Sequence, residues 1–402
     1  MPPPANSGLS TSALASQQFE TSWFWRLFPA GMRRRWWLFR LFDIIARHWP
    51  VLGTPRGTLI IRMDGIGDMV LFRHTLDDYA TALDTSVSDI TVLGCKSWGP
   101  ISAEIFAGYN LIMIDEHAFA RQPFYRFKIG LLVRSLNVRR ALNDSYFRRA
   151  MMADSLVWLS GAAETTVSLP FINEPTRTEF NYYLSQVSQI IDTGPYPTHE
   201  SIRHYRFLSA LAGRDYIPQP PKIPWRTSEG IEGPPYVVLN PGSNEYGRRW
   251  PFANYVEIAK RLTDRGNRVV LVGGPGEETG DYMEALSHHE NVLDLVGKTK
   301  LPALLDILKG ATATLSNDTG PAHLSIALGT PTTVIVGGGH FGSFVPYPDE
   351  TTPPNARFVY EEMPCYHCFW RCHKRDTKFD VFPCVSAVGV EAVWDNLSQQ
   401  LV

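Results

Sequence analysis

The stretch "SNDTGPAHLSIALGTP" concentrates polar groups between two apolar runs of the 402-residue chain. The residues before it alternate like a β-strand, and "PAHLSIAL" predicts a helix with Pro at its start and Gly329 past its end. Such a strand-to-helix turn presents free N–H groups that carry partial positive charge and bind phosphate. The alternative is a capped helix with a surface histidine. The candidate binding residues are Asp318, Thr319, Gly320 and His323.

Four of the five cysteines lie together in "CYHCFWRCHKRDTKFDVFPC", with the spacing C-x2-C-x3-C-x11-C. In a cytosolic protein, thiols this close favour a tetrahedral zinc or iron site over disulfides, with His367 or His373 as substitute ligands. Four protein ligands leave no open position, so this metal would be structural. The alternative is four free or partly buried thiols. The predicted ligands are Cys365, Cys368, Cys372 and Cys384.

The chain has two halves, and each repeats the order strand, turn, helix. These elements would position the polar turn and the cysteines. The first opens with "GTLIIRM", "DGIGD" and "MVLFRHTLDDYATAL", and the second with "YVVLN" and "FANYVEIAKRLTDRG". This alternation predicts parallel sheets, in which ligands bind beyond the carboxyl ends of the strands. Three loops of the second half follow strands there. Their candidate residues are Asn240, Gly242, Ser243 and Arg248, then Glu277 and Glu278, then the turn at Asp318.

The predicted fold class is α/β, with two Rossmann-like doubly wound domains facing a central cleft. Six prolines between Tyr216 and Pro235 forbid regular structure and predict the linker. We expect a disordered N-terminus (1–21), an amphipathic Trp/Arg-rich segment (22–50), a first domain (56–215), a linker (216–235), a second domain (236–385) with a Cys-rich insert (364–384), and a C-terminal helix (386–402).

Composition excludes several classes of protein. A net charge of −2 offers no basic field for nucleic acid, and five cysteines are too few for a disulfide-stapled secreted chain. No apolar run reaches the ~18 residues of a membrane span, and no secretory signal is visible. We therefore expect a cytoplasmic protein.

The segment "SWFWRLFPAGMRRRWWLFRLFDIIARHWP" holds five of the eleven tryptophans and six arginines against one Asp. Read as a helix, it places Trp37, Leu41, Ile44 and Ile45 on or near one face, and Arg33, Arg40, Asp43 and Arg47 on the other. Trp and Arg together suit the headgroup region of a bilayer, which favours peripheral attachment to the inner-membrane surface. The alternatives are docking on the protein's own body and an oligomer contact.

Together these motifs resemble glycosyltransferase family 9, the bacterial heptosyltransferases of the GT-B fold. The resemblance runs from about Thr58 to the C-terminus. The matching segments are "LIIRMDGIGDMVL", "VLNPGSNEYGRRWPFANYVEIAKRL", "VVLVGGPGEE" and "LVGKTKLPALLDILKGATATLSNDTGPAHLSIALGTPTTVIVGG". The resemblance implies inverting transfer of a sugar, typically from ADP-heptose, to a hydroxyl of lipopolysaccharide core or another envelope glycan, without a catalytic cofactor.

The resemblance also assigns roles on the donor side. The turn that begins at Asp318 stands where the family contacts the pyrophosphate and sugar, with Thr319, Gly320 and His323. Arg248 replaces the usual Lys of a Lys-x-Trp-Pro motif, which keeps a cation and changes its geometry. Glu277 or Glu278 would hold the donor ribose.

Asp68 matches the family's proposed catalytic base, which would take the proton of the acceptor hydroxyl. Its alternative role is a helix cap. Weaker acceptor-side candidates are Asp64, Arg73, Arg121 and Lys128, whose alternative is a solvated surface. Other readings of the whole chain are a protein-glycosylating heptosyltransferase and a non-catalytic scaffold that binds nucleotide sugar at the membrane. A nicotinamide oxidoreductase is disfavoured, because "DGIGD" lacks the G-x-G-x-x-G spacing.

Overall fold

The computed structural model describes residues 12–14, 19, 22–228, 230–277, 286 and 289–401. These residues form two compact units. The first unit runs to Gly65 and includes Thr75–Tyr196 and Glu200–Ile217, and the second contains Ile66–His74, Pro197–His199 and the chain from Pro218 onward. The start of one helix thus belongs to the second unit although its remainder belongs to the first.

The described part of the first unit contains a seven-stranded sheet in the order β1-β7-β6-β5-β2-β3-β4. Its strands are β1 (Ser12–Leu14), β2 (Thr58–Arg62), β3 (Ile90–Cys95), β4 (Asn110–Ile114), β5 (Arg140–Asn143), β6 (Glu164–Ser168) and β7 (Gln189–Asp192). Strands β2 to β7 pair in parallel and their order is that of a doubly wound Rossmann sheet.

The N-terminal strand β1 lies in the segment that was expected to be disordered. It pairs antiparallel with β7, with Ser12 opposite Asp192. Backbone pairing at an open sheet edge orders these three residues, because an edge strand offers unpaired N–H and C=O groups. Residues 1–11, 15–18, 20 and 21 lie outside the described part of the chain.

Helices connect the strands of the first unit. They are α1 (Trp23–Leu27), α2 (Arg34–Arg47), α3 (Ile66–Ala82), α4 (Gly99–Ile105), α5 (Glu116–Arg121), α6 (Pro123–Ser135), α7 (Ala153–Ser160), α8 (Arg177–Leu184) and α9 (Glu200–Ala212). Helix α2 packs on α6 and α7, and it buries Trp36, Phe39 and Ala46 in the main core of this unit.

The second unit contains a six-stranded parallel sheet in the order β10-β9-β8-β11-β12-β13. Its strands are β8 (Tyr236–Asn240), β9 (Arg268–Leu271), β10 (Val292–Asp294), β11 (Ala313–Asn317), β12 (Thr332–Ile335) and β13 (Ala356–Val359). The helices described for this unit, besides the start of α3, are α10 (Phe252–Asp264), α11 (Leu301–Lys309), α12 (Gly320–Ala327), α13 (Pro383–Ser386) and α14 (Val390–Ser398).

Both sheets confirm the predicted α/β class with two Rossmann-like halves. In the second sheet the strand order reverses between β8 and β11, and ligands of doubly wound sheets bind outside the carboxyl ends at such a point. Among the described helices, none is long and apolar enough to cross a membrane.

Candidate functional site

The loops after β8 and β11 are tied together where the strand order of the second sheet reverses. Asn240, the last residue of β8, donates from Nδ2 to Ser316 Oγ at 2.9 Å and to Thr319 Oγ1 at 3.1 Å. Asn317, the last residue of β11, donates from Nδ2 to the Pro241 carbonyl at 2.7 Å. These amides fix the two loops against each other, so Asn240 acts here as a buried brace.

The loop after β9 joins the same edge through Glu277. This carboxylate accepts from the Gly274 N–H at 2.7 Å, and a Cβ on Gly242 would lie 1.9 Å from Glu277 Oε2. Gly242 therefore allows the acid to approach the first loop. The buried Ser243 hydroxyl finds no hydrogen-bond partner among the described residues, which suits a group that meets a ligand. Glu278 lies outside the described residues.

Arg248 is anchored on three sides. It ends the 3-10 turn Tyr246–Arg248, and its Nη2 lies 2.8 Å from Asp318 Oδ2 and also donates to the Asp318 carbonyl. Its guanidinium carbon lies 4.7 Å from the ring centroid of Trp370, a cation–π distance. The predicted cation and the predicted acid are thus a partly buried ion pair at the start of α12.

His323 lies in the first turn of α12 and is buried. Burial lowers the pKa of His323 to about 4, so the ring is neutral at pH 7. Its Nδ1 lies 2.7 Å from the Tyr347 hydroxyl and its Nε2 lies 3.9 Å from Asp318 Oδ1. With the Tyr347 hydroxyl donating to Nδ1, the ring proton is on Nε2, on the side of the Asp318 carboxylate.

The start of α3 packs directly on the start of α12, within the second unit. A Cβ on Gly320 would lie 3.2 Å from the Cβ of Ile66, and a Cβ on Gly67 would lie 2.9 Å from His323 Cδ2. Asp68 is the next residue of α3 and is half-buried. Gly65 occupies the N-cap position, so Asp68 lies inside the first turn rather than at the cap. The predicted base and the predicted donor residues therefore belong to one neighbourhood.

The weaker acceptor-side candidates have different environments. Asp64 pairs with Arg62 inside the first unit. Arg73 is buried on α3, whereas Arg121 and Lys128 are exposed on α5 and α6. Asp64 is therefore part of an internal ion pair, and the two exposed cations are solvated side chains.

The four clustered cysteines are free thiols. Among the described residues, no group of three or more His, Cys, Asp or Glu side chains is arranged to hold a metal ion. Burial raises the pKa of Cys368 and of Cys384. Cys384 Sγ instead accepts from the Gly338 N–H at 3.3 Å. The predicted zinc or iron site is not supported, and the thiols pack as part of a folded insert.

The insert shapes the site in a way that the sequence did not indicate. Trp370 packs against the backbone of Gly337 and Gly339, where an added Cβ would come within 3.1 and 2.1 Å of its ring. Trp370 thus supports the guanidinium of Arg248. Tyr347, outside the insert, contacts the ring of His323 in a similar supporting role. Trp370 lies within the cysteine motif, but the motif does not indicate a contact with Arg248, which only the fold shows.

The sequence of the second half resembles a known family. Residues 215–374 match glycosyltransferase family 9 (heptosyltransferase). This region of the chain is similar to that family. The resemblance predicted from the motifs is thereby confirmed.

Relatives of the family 9 region are heptosyltransferases. Lipopolysaccharide heptosyltransferase 2 of Salmonella typhimurium is 28% identical over 227 residues, which is 49% of this chain and 61% of that protein. The curated relative in Escherichia coli K12, also named lipopolysaccharide heptosyltransferase 2, is 32% identical over 126 residues, or 34% of its length. The chain thus aligns with less than two thirds of these relatives.

Solved structures extend the likeness to both units. The Escherichia coli ADP-heptose lipopolysaccharide heptosyltransferase II structure matches 86% of this chain and 98% of its own, with a TM-score of 0.62 and 20% identity. The iron-containing dodecameric glycosyltransferase TibC of enterotoxigenic Escherichia coli covers 87% of this chain and 78% of its own, with a TM-score of 0.51 and 14% identity. At these identities the structures show a shared GT-B fold.

Proposed function

We propose that this family 9 protein is an inverting glycosyltransferase that moves a sugar, a heptose by preference, from a nucleotide-diphosphate donor to a glycan hydroxyl. One observation carries the proposal. The first turn of α3, which bears Asp68, packs on the first turn of α12, which bears the donor candidates. A carboxylate and an anion-binding helix start are the two parts that this reaction needs.

The donor diphosphate would lie at the start of α12. Helix N–H groups near Gly320 and the guanidinium of Arg248 offer it positive charge, and the unpartnered Ser243 hydroxyl offers a hydrogen bond. The Asp318 carboxylate and the neutral His323 ring suit sugar hydroxyls, which both donate and accept. Glu277, held by the Gly274 N–H, would face the ribose.

The reaction proceeds by displacement at the anomeric carbon. The acceptor oxygen forms a new bond to that carbon while the bond from the carbon to the diphosphate oxygen breaks, and the configuration inverts. Asp68 takes the proton of the acceptor hydroxyl. Arg248 and the start of α12 stabilise the negative charge that develops on the leaving diphosphate. No step requires a metal or a cofactor.

The relatives point to ADP-heptose as donor and to lipopolysaccharide core as acceptor. Such an acceptor is a membrane glycolipid, and the protein would meet it at the cytoplasmic face of the inner membrane. A protein acceptor is the second possibility, and the test below separates the two.

The test is a panel of nucleotide sugars against the purified full chain. ADP-heptose, UDP-glucose and GDP-mannose are offered with a lipopolysaccharide core acceptor or with cytoplasmic protein, and transfer is followed by mass spectrometry. The expected result is heptose added to the glycolipid from ADP-heptose alone. Heptose on protein would assign the other acceptor, and absence of transfer from every donor would contradict the enzyme proposal.

A further inference from the structure

Helix α2 docks on the first unit through Trp36, Phe39 and Asp43, which are buried. Asp43 is buried, and its Oδ2 lies 2.7 Å from Arg126 Nη2, while Arg47 donates to the Trp158 carbonyl. The face that docks on the first unit therefore combines apolar side chains with a buried ion pair. The opposite face of α2 is apolar, and its side chains remain in solvent.

This exposed surface is large for a segment of two short helices. On α2, Leu38 is 57% exposed, Leu41 65% and Ile45 41%. On and just after α1, Trp23 is 72% exposed, and Phe24 and Phe28 are both 61%. The two helices adjoin, because Arg40 Nη2 reaches the Arg26 carbonyl at 3.5 Å. We name these six apolar side chains the apolar N-terminal face. Exposed large apolar side chains grouped on two adjoining helices are typical of an interaction site.

The charged side chains between positions 22 and 52 are almost all cations. Asp43 supplies the one carboxylate between positions 22 and 52, and it is buried. Arg34 and Arg35 are exposed at the start of α2. No exposed carboxylate therefore offsets these cations within the segment.

A cavity of about 360 Å³ beside the first turn of α2 adds further cations. Arg33 and Arg126 line it and are paired with Glu179 and Asp43. Arg35 and Arg149 also line it, and neither has a carboxylate partner among the described residues. Two uncompensated guanidiniums in a cavity suit a phosphate group.

Charge decides between a membrane and a second copy of the chain as the partner. A two-fold contact through the apolar N-terminal face would bring the arginines of α2 toward those of the other copy, and like charges oppose such an interface. An anionic bilayer supplies the missing negative charge and accepts aromatic and aliphatic side chains at the headgroup boundary.

We infer that the apolar N-terminal face docks on an anionic lipid bilayer, with a lipid phosphate in the cavity at Arg35 and Arg149. The identity of the membrane rests on the proposed function. Binding to vesicles can be measured without the sugar donor or the acceptor. The protein would meet its glycolipid acceptor through this surface rather than through a membrane span.

The test is flotation of the full chain with vesicles of phosphatidylcholine alone or with added phosphatidylglycerol. We expect binding to the anionic vesicles, weakening as salt rises. Leu41→Glu with Ile45→Glu should lower the partition coefficient at least about tenfold. Arg35→Ala with Arg149→Ala should lower it about fivefold for each arginine removed. Ile217→Glu, at a 77% exposed residue outside the segment, is the matched control and should bind as the unaltered chain does.

Three results would overturn the inference. The first is no binding to anionic vesicles, and the second is equal binding by the Leu41/Ile45 double variant. The third is an oligomeric wild type and a monomeric double variant in light scattering, with no vesicle binding by either protein. That result would assign the face to a contact with a second copy. Circular dichroism checks folding, and Trp49→Glu, at a 49% exposed residue just past α2, repeats the test if the double variant is unfolded. ADP binding is measured separately, so loss of one proposal leaves the other intact.

Discussion

Arg248 and Asp318 form an ion pair with 2.8 Å between Nη2 and Oδ2, at the mouth of α12. The pair brings a cation from the loop after β8 to an acid from the loop after β11. A diphosphate sugar can use both charges, because its phosphates bind cations and its hydroxyls donate hydrogen bonds to a carboxylate. In the proposed function this pair would organise the donor site, and the neighbouring first turn of α3 would add the base.

The first prediction concerns Asp68. Asp68→Asn keeps the size of the side chain and removes the base, so we expect transfer to fall about 10²- to 10⁴-fold. ADP affinity, measured by calorimetry, should stay unchanged, because Asp68 does not bind the diphosphate. Asp77→Asn, an exposed carboxylate further along α3, is the matched control and should retain activity. Equal activity of the two variants would remove Asp68 from the mechanism.

Trp370 should act through Arg248. Trp370→Ala removes the ring beneath the guanidinium, and we expect the KM for the donor to rise about fivefold while kcat at saturating donor changes little. Trp370→Phe keeps an aromatic face and should restore most of the affinity. A KM that is unaltered in the Ala variant, or a Phe variant as impaired as Ala, would show that the stacking does not matter.

The buried neutral His323 predicts a pH dependence of stability. Its folded pKa of about 4 lies below the ordinary value of 6.5, so the unfolded chain binds more protons between these values. The contribution of His323 to the free energy of unfolding should therefore be fully present above pH 6.5. It should fall by about 3 kcal/mol as the pH drops to 4. Urea unfolding of the wild type and of His323→Gln across this range measures the effect, and the variant should show a shallower slope. Parallel slopes would mean that His323 titrates normally.

The docking of α2 depends on the buried pair of Asp43 and Arg126. Asp43→Asn leaves Arg126 as an uncompensated buried cation, and we expect the first unit to lose about 3–5 kcal/mol. Asp43→Asn combined with Arg126→Met removes both charges and should recover much of that loss. Urea titrations followed by circular dichroism compare the three proteins. A single variant as stable as the wild type would show that α2 does not depend on this pair.

The sequence predicts the second sheet well, because each apolar strand is followed at once by a polar loop, as at Asn240 and Asp318. Parallel strands collect such loops at one edge, so the meeting of these residues follows from the alternation alone. The contact of Gly67 with His323 does not follow from this alternation. The two residues are 256 positions apart in the chain, and no local sequence pattern predicts their contact.

Other features depend on directions that spacing cannot show. The cysteine spacing places four thiols near one another in the chain, but it does not fix where each sulfur points, and among the described residues the four cysteines do not form a metal-binding group. The helical pattern of α2 separates a charged face from an apolar face. It does not say which side of the helix docks, and the structure buries Trp36, Phe39 and Asp43 on that side.

Calorimetric titration of ADP into the wild-type chain and into Arg248→Met tests the central claim most directly. Met keeps an unbranched, flexible side chain and removes the charge. The account predicts that the wild type binds ADP, that NAD does not compete, and that Arg248→Met binds ADP at least about tenfold more weakly. A wild-type chain that does not bind ADP, or a variant that binds it equally well, would contradict a diphosphate site at the start of α12.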